Sequence, residues 1–448
     1  MSGPAPARRA AWRALVRLAG GQEALDDRGA ALPELDALDE RDRRLATELV
    51  MGTVKRRRSL DAVIAAFSEA PPTRIETDVR EALRLSAYQL LFLDRVPAHA
   101  VVDDGVALVQ THGRRTRGFV NAVLRAVARE GRARFAALTS AGDLEARALL
   151  WSCPTWLVAR LEADLGPEAA AALLAAADRP PERCLRVNPL RGDMSAATSA
   201  LRAAGFTTAP VSDLPDALLY EGPPLERSRP FTGGLVTPQS RGSQLVGQIA
   251  AGAEAAPPAI LDLCAAPGIK TAQVAAAHPG ARVTAVDLDP RRVEAMRANL
   301  RRLGADGVEV VCAEAGSLLP ERAKSFDVAL VDAPCTGLGT LGTRPDVRWR
   351  RREGDVARMA AEQRRLLAVG AACVRPGGAL VYAVCTVTRA ETVEVVDSLL
   401  SGGGWALDDL GAEVPGAAHP ANGAFLLALP PDWGSTGFFV ARLRRECA

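Results

Sequence analysis

The second half of the chain alternates short apolar runs with helical patterns. Ala259–Leu263, Arg282–Val286, Val308–Cys312, Asp327–Val331, Ala379–Val384 and Phe438–Leu443 have strand length. Helical patterns separate the early runs. Pro290–Leu303 is one of them, with Asp289 placed as N-cap and Pro290 at the first helical position. Apolar strands alternating with helices predict an α/β fold, a parallel sheet covered on both faces.

The first 140 residues carry a different period. Trp12, Leu15, Val16 and Ala19 fall on one helical face. Val79, Leu83, Ala87, Leu90 and Leu91 share another, as do Phe119, Val123, Leu124 and Val127. Residues 1–140 are therefore predicted to be all helix. Between about 141 and 235 neither pattern dominates. Trp151 and Trp156 flank Pro154, Cys184–Val187 reads as a short strand ended by Asn188-Pro189, and a helix over Ala196–Ala204 closes on Gly205. This predicts a small α+β subdomain. Three domains result, 1–140, 141–235 and 236–448.

Charge and cysteine usage narrow the class. The 448 residues are 24% charged with a net charge of +2, and only Lys55, Lys270 and Lys324 are lysines. Residues 1–140 hold 23 basic and 18 acidic side chains. That mild excess is compatible with RNA binding. Lys55-Arg56-Arg57-Arg58 is either a solvated helix face or a phosphate contact. The eight cysteines form no C-x-x-C pair and the four histidines are scattered, so no structural zinc site is expected. Free cysteines point to a reducing compartment, the cytoplasm. No apolar run reaches membrane-spanning length, and the early arginines interrupt the apolar residues, unlike those of a secretory leader.

Candidate chemistry gathers at predicted strand ends. Cys335 follows the run ending at Val331, and Cys385 follows the run ending at Val384. Ligands of an open α/β sheet bind at the carboxyl ends of its strands, so the two thiols can meet over one substrate. Upstream, the first strand enters Cys264-Ala265-Ala266-Pro267-Gly268-Ile269-Lys270, whose small residues allow close backbone approach to a ligand. The loop lacks G-x-G-x-x-G, and Ile269 stands where a Walker A loop requires glycine. The acids Asp287, Glu314 and Asp332 follow successive strands. This order fits an adenosine-bearing ligand without phosphates, such as S-adenosyl-L-methionine.

Here a resemblance becomes specific. Leu261–Thr271, Val331–Gly337 and Val381–Thr386 resemble motifs of the RNA cytosine-C5 methyltransferase family. Thr237–Gln244 resembles its motif ahead of the first strand, and Gly437–Arg442 its closing strand. Leu83–Leu90, Val96–Val102 and Asn121–Arg125 resemble the NusB-like RNA-binding domain. The resemblance covers essentially the whole chain. It implies a Rossmann-like S-adenosylmethionine-dependent core behind an all-α NusB-like domain. It also implies Cys385 as nucleophile on C6 of cytosine, Cys335 as the residue aiding adduct breakdown, and catalytic roles for Asp332 and Lys270. The implied cofactor set is Cys264, Ala265, Ala266, Pro267, Gly268, Ile269, Lys270, Asp287, Glu314 and Asp332.

The implied substrate is 16S ribosomal RNA and the implied state a monomer, with neither metal nor membrane partner. Arg344, Arg348, Arg350 and Arg351 around Trp349 either hold RNA or are structural. The chain departs from the family pattern at Ile269, Ser240, Val384, Thr386 and Thr436. Three other readings stay open: a tRNA substrate, a DNA cytosine methyltransferase, and a non-catalytic RNA-binding antitermination-like factor. The DNA enzyme leaves Cys385 unexplained, and the binding factor leaves both thiols so.

Overall fold

The computed structural model describes residues 4–20, 32–253 and 258–447. The chain divides into two compact units. One is Met1–Ala163 with Thr343–Arg350, and the other is Asp164–Gly342 with Arg351–Ala448.

The first unit is helical: α1 (Pro6–Ala19), α2 (Glu40–Lys55), α3 (Arg57–Ala66), α4 (Thr77–Phe92), α5 (Ala98–Leu108) and α6 (Arg114–Thr139), with a shorter helix at Leu144–Leu150. α4 is the centre of the bundle. Its expected face is buried at Val79, Leu83, Ala87 and Leu91, and the opposite face is buried too, at Ala82, Leu85 and Ser86. A helix enclosed by neighbours needs partners for its polar groups. Arg84 meets Asp61 at 2.6 and 2.7 Å and Glu81 at 2.6 Å.

Within the basic cluster Arg57 is exposed, 5.6 Å over the Trp349 ring, and the other three are drawn into the unit. Lys55 is buried. Arg56 lies 4.7 Å over the Phe92 ring and donates to Leu150 O. Arg58 donates to Cys153 O and pairs with Glu145. Arg348 and Trp349 likewise have intrachain work within this unit. Arg348 is fully buried and donates to Lys55 O and Trp151 O, and Trp349 Nε1 donates to Val54 O at 2.7 Å.

In the second unit β1 (Cys184–Val187), β2 (Thr207–Val211), β3 (Leu214–Glu221) and β4 (Val236–Pro238) form an antiparallel sheet of order β2-β3-β1-β4. Helix Met194–Ala203 precedes Gly205, whose φ of 83° supplies the turn back into β2.

The main sheet holds β5 (Ala259–Leu263), β6 (Arg282–Asp287), β7 (Glu309–Cys312), β8 (Phe326–Asp332), β9 (Val374–Val384), β10 (Trp405–Leu407), β11 (Leu426–Ala428) and β12 (Phe438–Arg445). Its order is β10-β12-β9-β8-β5-β6-β7, with β11 beside β12. β5 to β9 pair in parallel. β12 runs antiparallel to β9, so the sheet is mixed and not wholly parallel.

Each apolar run forms its strand, with shifted ends. β9 starts at Val374, ahead of the expected Ala379, because Arg375-Pro376-Gly377-Gly378 masks the pattern. A register shift against β8 and a φ of 78° at Gly377 mark the irregularity there. No described helix is long and apolar enough to cross a membrane.

Candidate active site

The chain leaves β5, returns through helix Ile269–Ala277 to β6 on one side, and later places β8 on the other. Strand order reverses at β5, and the crevice at such a point is where an open α/β sheet binds its ligand. The predicted site residues lie at this end.

The cofactor loop starts from Cys264, at φ 61°, and ends on Gly268, at φ 85°. Gly268 is required twice over. Its backbone is left-handed, and a Cβ there would stand 2.8 Å from Met296 Cγ. Backbone bonds pin the loop: Ala265 N to Val286 O at 3.0 Å and Gly268 N to Ala265 O at 2.8 Å. Pro267 is exposed. Ile269 turns its side chain into a cluster with Ala272, Met296 and Leu300, which leaves only its backbone to the crevice. The departure from the family pattern at Ile269 is thus a packing residue.

Asp287 ends β6 and is buried. Its Oδ2 accepts Ala266 N at 3.1 Å and faces Arg292 at 3.4 Å, and its Oδ1 accepts Asp289 N at 3.2 Å. Arg292 also donates to Ala266 O at 2.7 Å. Asp287 therefore braces the loop. The next residue, Leu288, is a large apolar side chain left 68% exposed, a flat apolar surface beside the acid. Glu314 follows β7, is exposed, and pairs with Arg365. Hydrogen bonds from Gly316 N and from Arg365 hold its carboxyl below the usual range.

Across the crevice Lys270 Nζ meets Asp332 Oδ2 at 2.7 Å. Burial works against the ammonium, but the facing Asp332, with Cys385 and Asp262 behind it, outweighs burial and raises the lysine's pKa. Asp262, on β5, is buried and accepts Thr271 Oγ1 at 2.6 Å. Burial pushes its pKa up to about 7. Burial also pushes the Cys264 thiol up to about 12, with Asp287, Asp332 and Asp262 adding to the shift.

The two thiols meet as the sequence predicts. β8 and β9 are parallel neighbours, with Asp332 opposite Ala383. Cys335 and Cys385 therefore leave adjacent strand ends, and their Sγ atoms are 3.3 Å apart. Cys335 is the more buried and Cys385 is half-buried. The Cys385 thiol, burial and the Glu391 carboxylate together push the Cys335 thiol well above its ordinary range. Gly339 lets the loops close: its N–H donates to Cys385 O, and a Cβ there would stand 2.3 Å from Gly437 O. Arg351, a candidate RNA contact from sequence, instead donates to Thr336 O and Cys335 O.

Several polar partners escaped the sequence reading. Arg292 and Gln363 give no signal in one chain. Asp262 sat within the quoted motif but had no assigned part. Glu391 did have a signal: Thr388-Arg389-Ala390-Glu391 has the spacing of a capping box, although the bond that forms joins the two side chains, Thr388 Oγ1 to Glu391 Oε2 at 2.8 Å, and Thr388 makes no side-chain cap bond. Of the other departures, Ser240 caps helix Arg241–Ala251, Val384 is buried in the sheet, and Thr386 bonds Glu391.

Comparison with known proteins agrees with this geometry. The family described as 16S rRNA methyltransferase RsmB/F matches residues 253–444, the NusB family matches 5–129, and the RsmF/B-like ferredoxin-like domain matches 153–225. The chain is 33% identical to the ribosomal RNA small subunit methyltransferase B of Pseudomonas putida, over 98% of this chain and 99% of that one. It is also 33% identical to the protein of the same name from Sodalis glossinidius, over 93% of each. Among solved structures, a methyltransferase homologue from Pyrococcus horikoshii superposes with a TM-score of 0.59 at 26% identity, covering 68% of this chain and 99% of that one. The crevice fits the cofactor of such enzymes, S-adenosyl-L-methionine: a small-residue loop, an acid at the end of β6 and an exposed apolar neighbour suit an adenosine. The chain is an S-adenosylmethionine-dependent RNA methyltransferase and belongs to the 16S rRNA methyltransferase RsmB/F family.

Proposed function

We propose that the chain methylates C5 of one cytosine in 16S ribosomal RNA through a covalent bond between Cys385 Sγ and C6 of the base. The observation that carries this reading is the 3.3 Å approach of two thiols at adjacent strand ends, facing the crevice of β5. Cytosine C5 is a weak nucleophile. Addition of the Cys385 thiolate at C6 makes an enamine whose C5 is nucleophilic, which splits one hard step into easier ones. The half-buried Cys385 is the more accessible thiol. Asp332 hydrogen-bonds the N3/N4 edge and stabilises a proton on N3 as charge builds. Lys270 orients Asp332. S-adenosylmethionine, when bound, supplies the methyl group. Cys335, as a thiolate in this step, accepts the C5 proton, and the C5–H electron pair re-forms the C5–C6 double bond as the C6–sulfur bond breaks to return the Cys385 thiolate.

The backbone of Cys264–Lys270, Asp287 for the ribose, Glu314 and Asp332 would hold the cofactor. The target base must leave its stack to reach this end of the sheet. Residues 1–140 recruit the RNA, residues 141–235 connect, and residues 236–448 perform the chemistry. The enzyme works as a cytoplasmic monomer.

Separate cysteine variants test the scheme. Cys385→Ala should abolish methylation and form no adduct. Cys335→Ala should attack, transfer the methyl group and stall, giving an RNase-sensitive slow band on a denaturing gel with cofactor and 16S RNA. Adduct trapped by Cys385→Ala and none by Cys335→Ala would move the nucleophile to Cys335. Bisulfite mapping of ribosomal and transfer RNA from a strain lacking the protein identifies the substrate. A lost methylcytosine in tRNA alone would overturn the ribosomal reading.

A further inference from the structure

Behind the thiols lies a carboxylate that this scheme does not use. Glu391 is fully buried. Its Oε1 accepts Thr336 N at 2.7 Å and Gln363 Nε2 at 3.2 Å. Its Oε2 lies 2.6 Å from Thr336 Oγ1, 2.8 Å from Thr388 Oγ1 and 3.1 Å from Thr386 Oγ1. Thr336 follows Cys335 in the chain, Thr386 follows Cys385, and the two hydroxyls are 2.9 Å apart. Gln363 reaches the same loop from the other side of Cys335, donating to Pro334 O at 2.9 Å. Tyr382 donates its hydroxyl to Glu391 O at 2.7 Å, which fixes the backbone of the acid itself.

A carboxylate out of water is strongly unfavourable unless its oxygens are filled by donors. Here the donors come from both thiol loops. Displacing either loop leaves the buried oxygens short of partners, so the two loops are coupled through one side chain. A residue needed only to fill space would have no use for donors from two separate strand ends.

We propose that Glu391 is the positioning residue of the thiol pair, a shared acceptor that holds the Cys335 and Cys385 loops in register so that both sulfurs address one base. The proposal rests on the reading that both thiols act in the reaction. Glu391 does not touch the substrate. It acts through Thr336 and Thr386, each one residue from a sulfur.

The test uses the full-length enzyme with 16S RNA and S-adenosylmethionine. Glu391→Gln keeps the shape but places an amide NH2 among donors. A space-filling role would tolerate it, and a shared acceptor would not. We expect kcat to fall about 10²-fold, the scale on which small misplacements of reacting groups cost rate, with KM for RNA and for cofactor little changed. Thr386→Val removes one donor without changing size and should lower kcat in the same way. Combining it with Glu391→Gln should add little, because both break one network.

In the Cys335→Ala background, Glu391→Gln should slow appearance of the RNA-linked band by the factor seen in kcat. Thermal melting of each variant keeps folding apart from positioning, and Thr386→Val serves if Glu391→Gln folds poorly. Parental kcat in Glu391→Gln would overturn the proposal, as would a loss that appears in KM or matches the unfolded fraction, or full additivity of the two variants. No band in Cys335→Ala itself would overturn the thiol assignment instead, and that result is read before Glu391 is changed.

Discussion

Lys270 Nζ and Asp332 Oδ2 stand 2.7 Å apart across the point where strand order reverses, tying the helix after β5 to the end of β8. Asp332→Asn should cost about 1.5–3 kcal/mol of folding stability by urea titration at pH 7, the range for a hydrogen bond to a charged group. Lys270→Met together with Asp332→Asn should cost less than the sum of the two, because each single change strands the other partner. Lys270 has its pKa raised in the fold, so its contribution is full below the ordinary lysine value of 10.5 and fades only as pH rises through the higher folded value. The Asp332→Asn penalty should therefore be constant from pH 8 to pH 9, above the range in which Asp262, whose pKa Asp332 helps to raise, titrates. A penalty that halves over that interval would mean the lysine titrates there.

Asp287 has two tasks, and they separate by variant. As a ribose anchor it should contribute about 1.5–3 kcal/mol to cofactor binding, about 10- to 150-fold in Kd. As the brace for Ala266 N and Arg292 it shapes the loop. Arg292→Ala removes part of the brace and leaves the carboxylate. Calorimetry should show Asp287→Ala binding S-adenosylmethionine far more weakly than Arg292→Ala does. Equal losses would reduce Asp287 to a loop brace.

The sheet was legible because each parallel strand is an apolar run with a turn after it, and the thiols were legible because both stand just past such runs. Pattern alone could not show that β12 returns antiparallel to β9, since pairing direction leaves no mark on an apolar run. β10 and β11, of three residues each, are too short to carry a period. The arginines left two readings open for a different reason. Arg348 and Arg351 each donate to backbone carbonyls of this chain, and a guanidinium on a carbonyl looks the same in sequence as one in water. Glu391 showed in sequence only its spacing from Thr388; its place behind the thiols did not, because its donors lie on three separate stretches, Thr336, Gln363 and Thr386–Thr388, which only the fold brings together.

The last prediction concerns Asp262, which lies under the cofactor loop. Thr271 fills its Oδ2, while Oδ1 is buried without a hydrogen-bond partner among the described residues. Burial raises its pKa from 3.8 to about 7, Asp332 and Asp287 adding to the shift while Thr271 and Lys270 oppose it. The folded state thus holds a proton that the unfolded chain releases near 3.8. The stabilising effect is full below pH 3.8 and is lost as pH rises through about 7. Within that window the loss approaches about 1.4 kcal/mol per pH unit for one group. Asp262→Asn removes the titration and keeps an oxygen for Thr271. Other ionisable groups are common to both proteins and cancel in the difference. Urea titrations from pH 4 to pH 8 should therefore show the parent losing stability relative to Asp262→Asn until about pH 7, after which the curves run parallel. Curves parallel throughout would return Asp262 to an ordinary carboxylate, charged in the fold as in the unfolded chain.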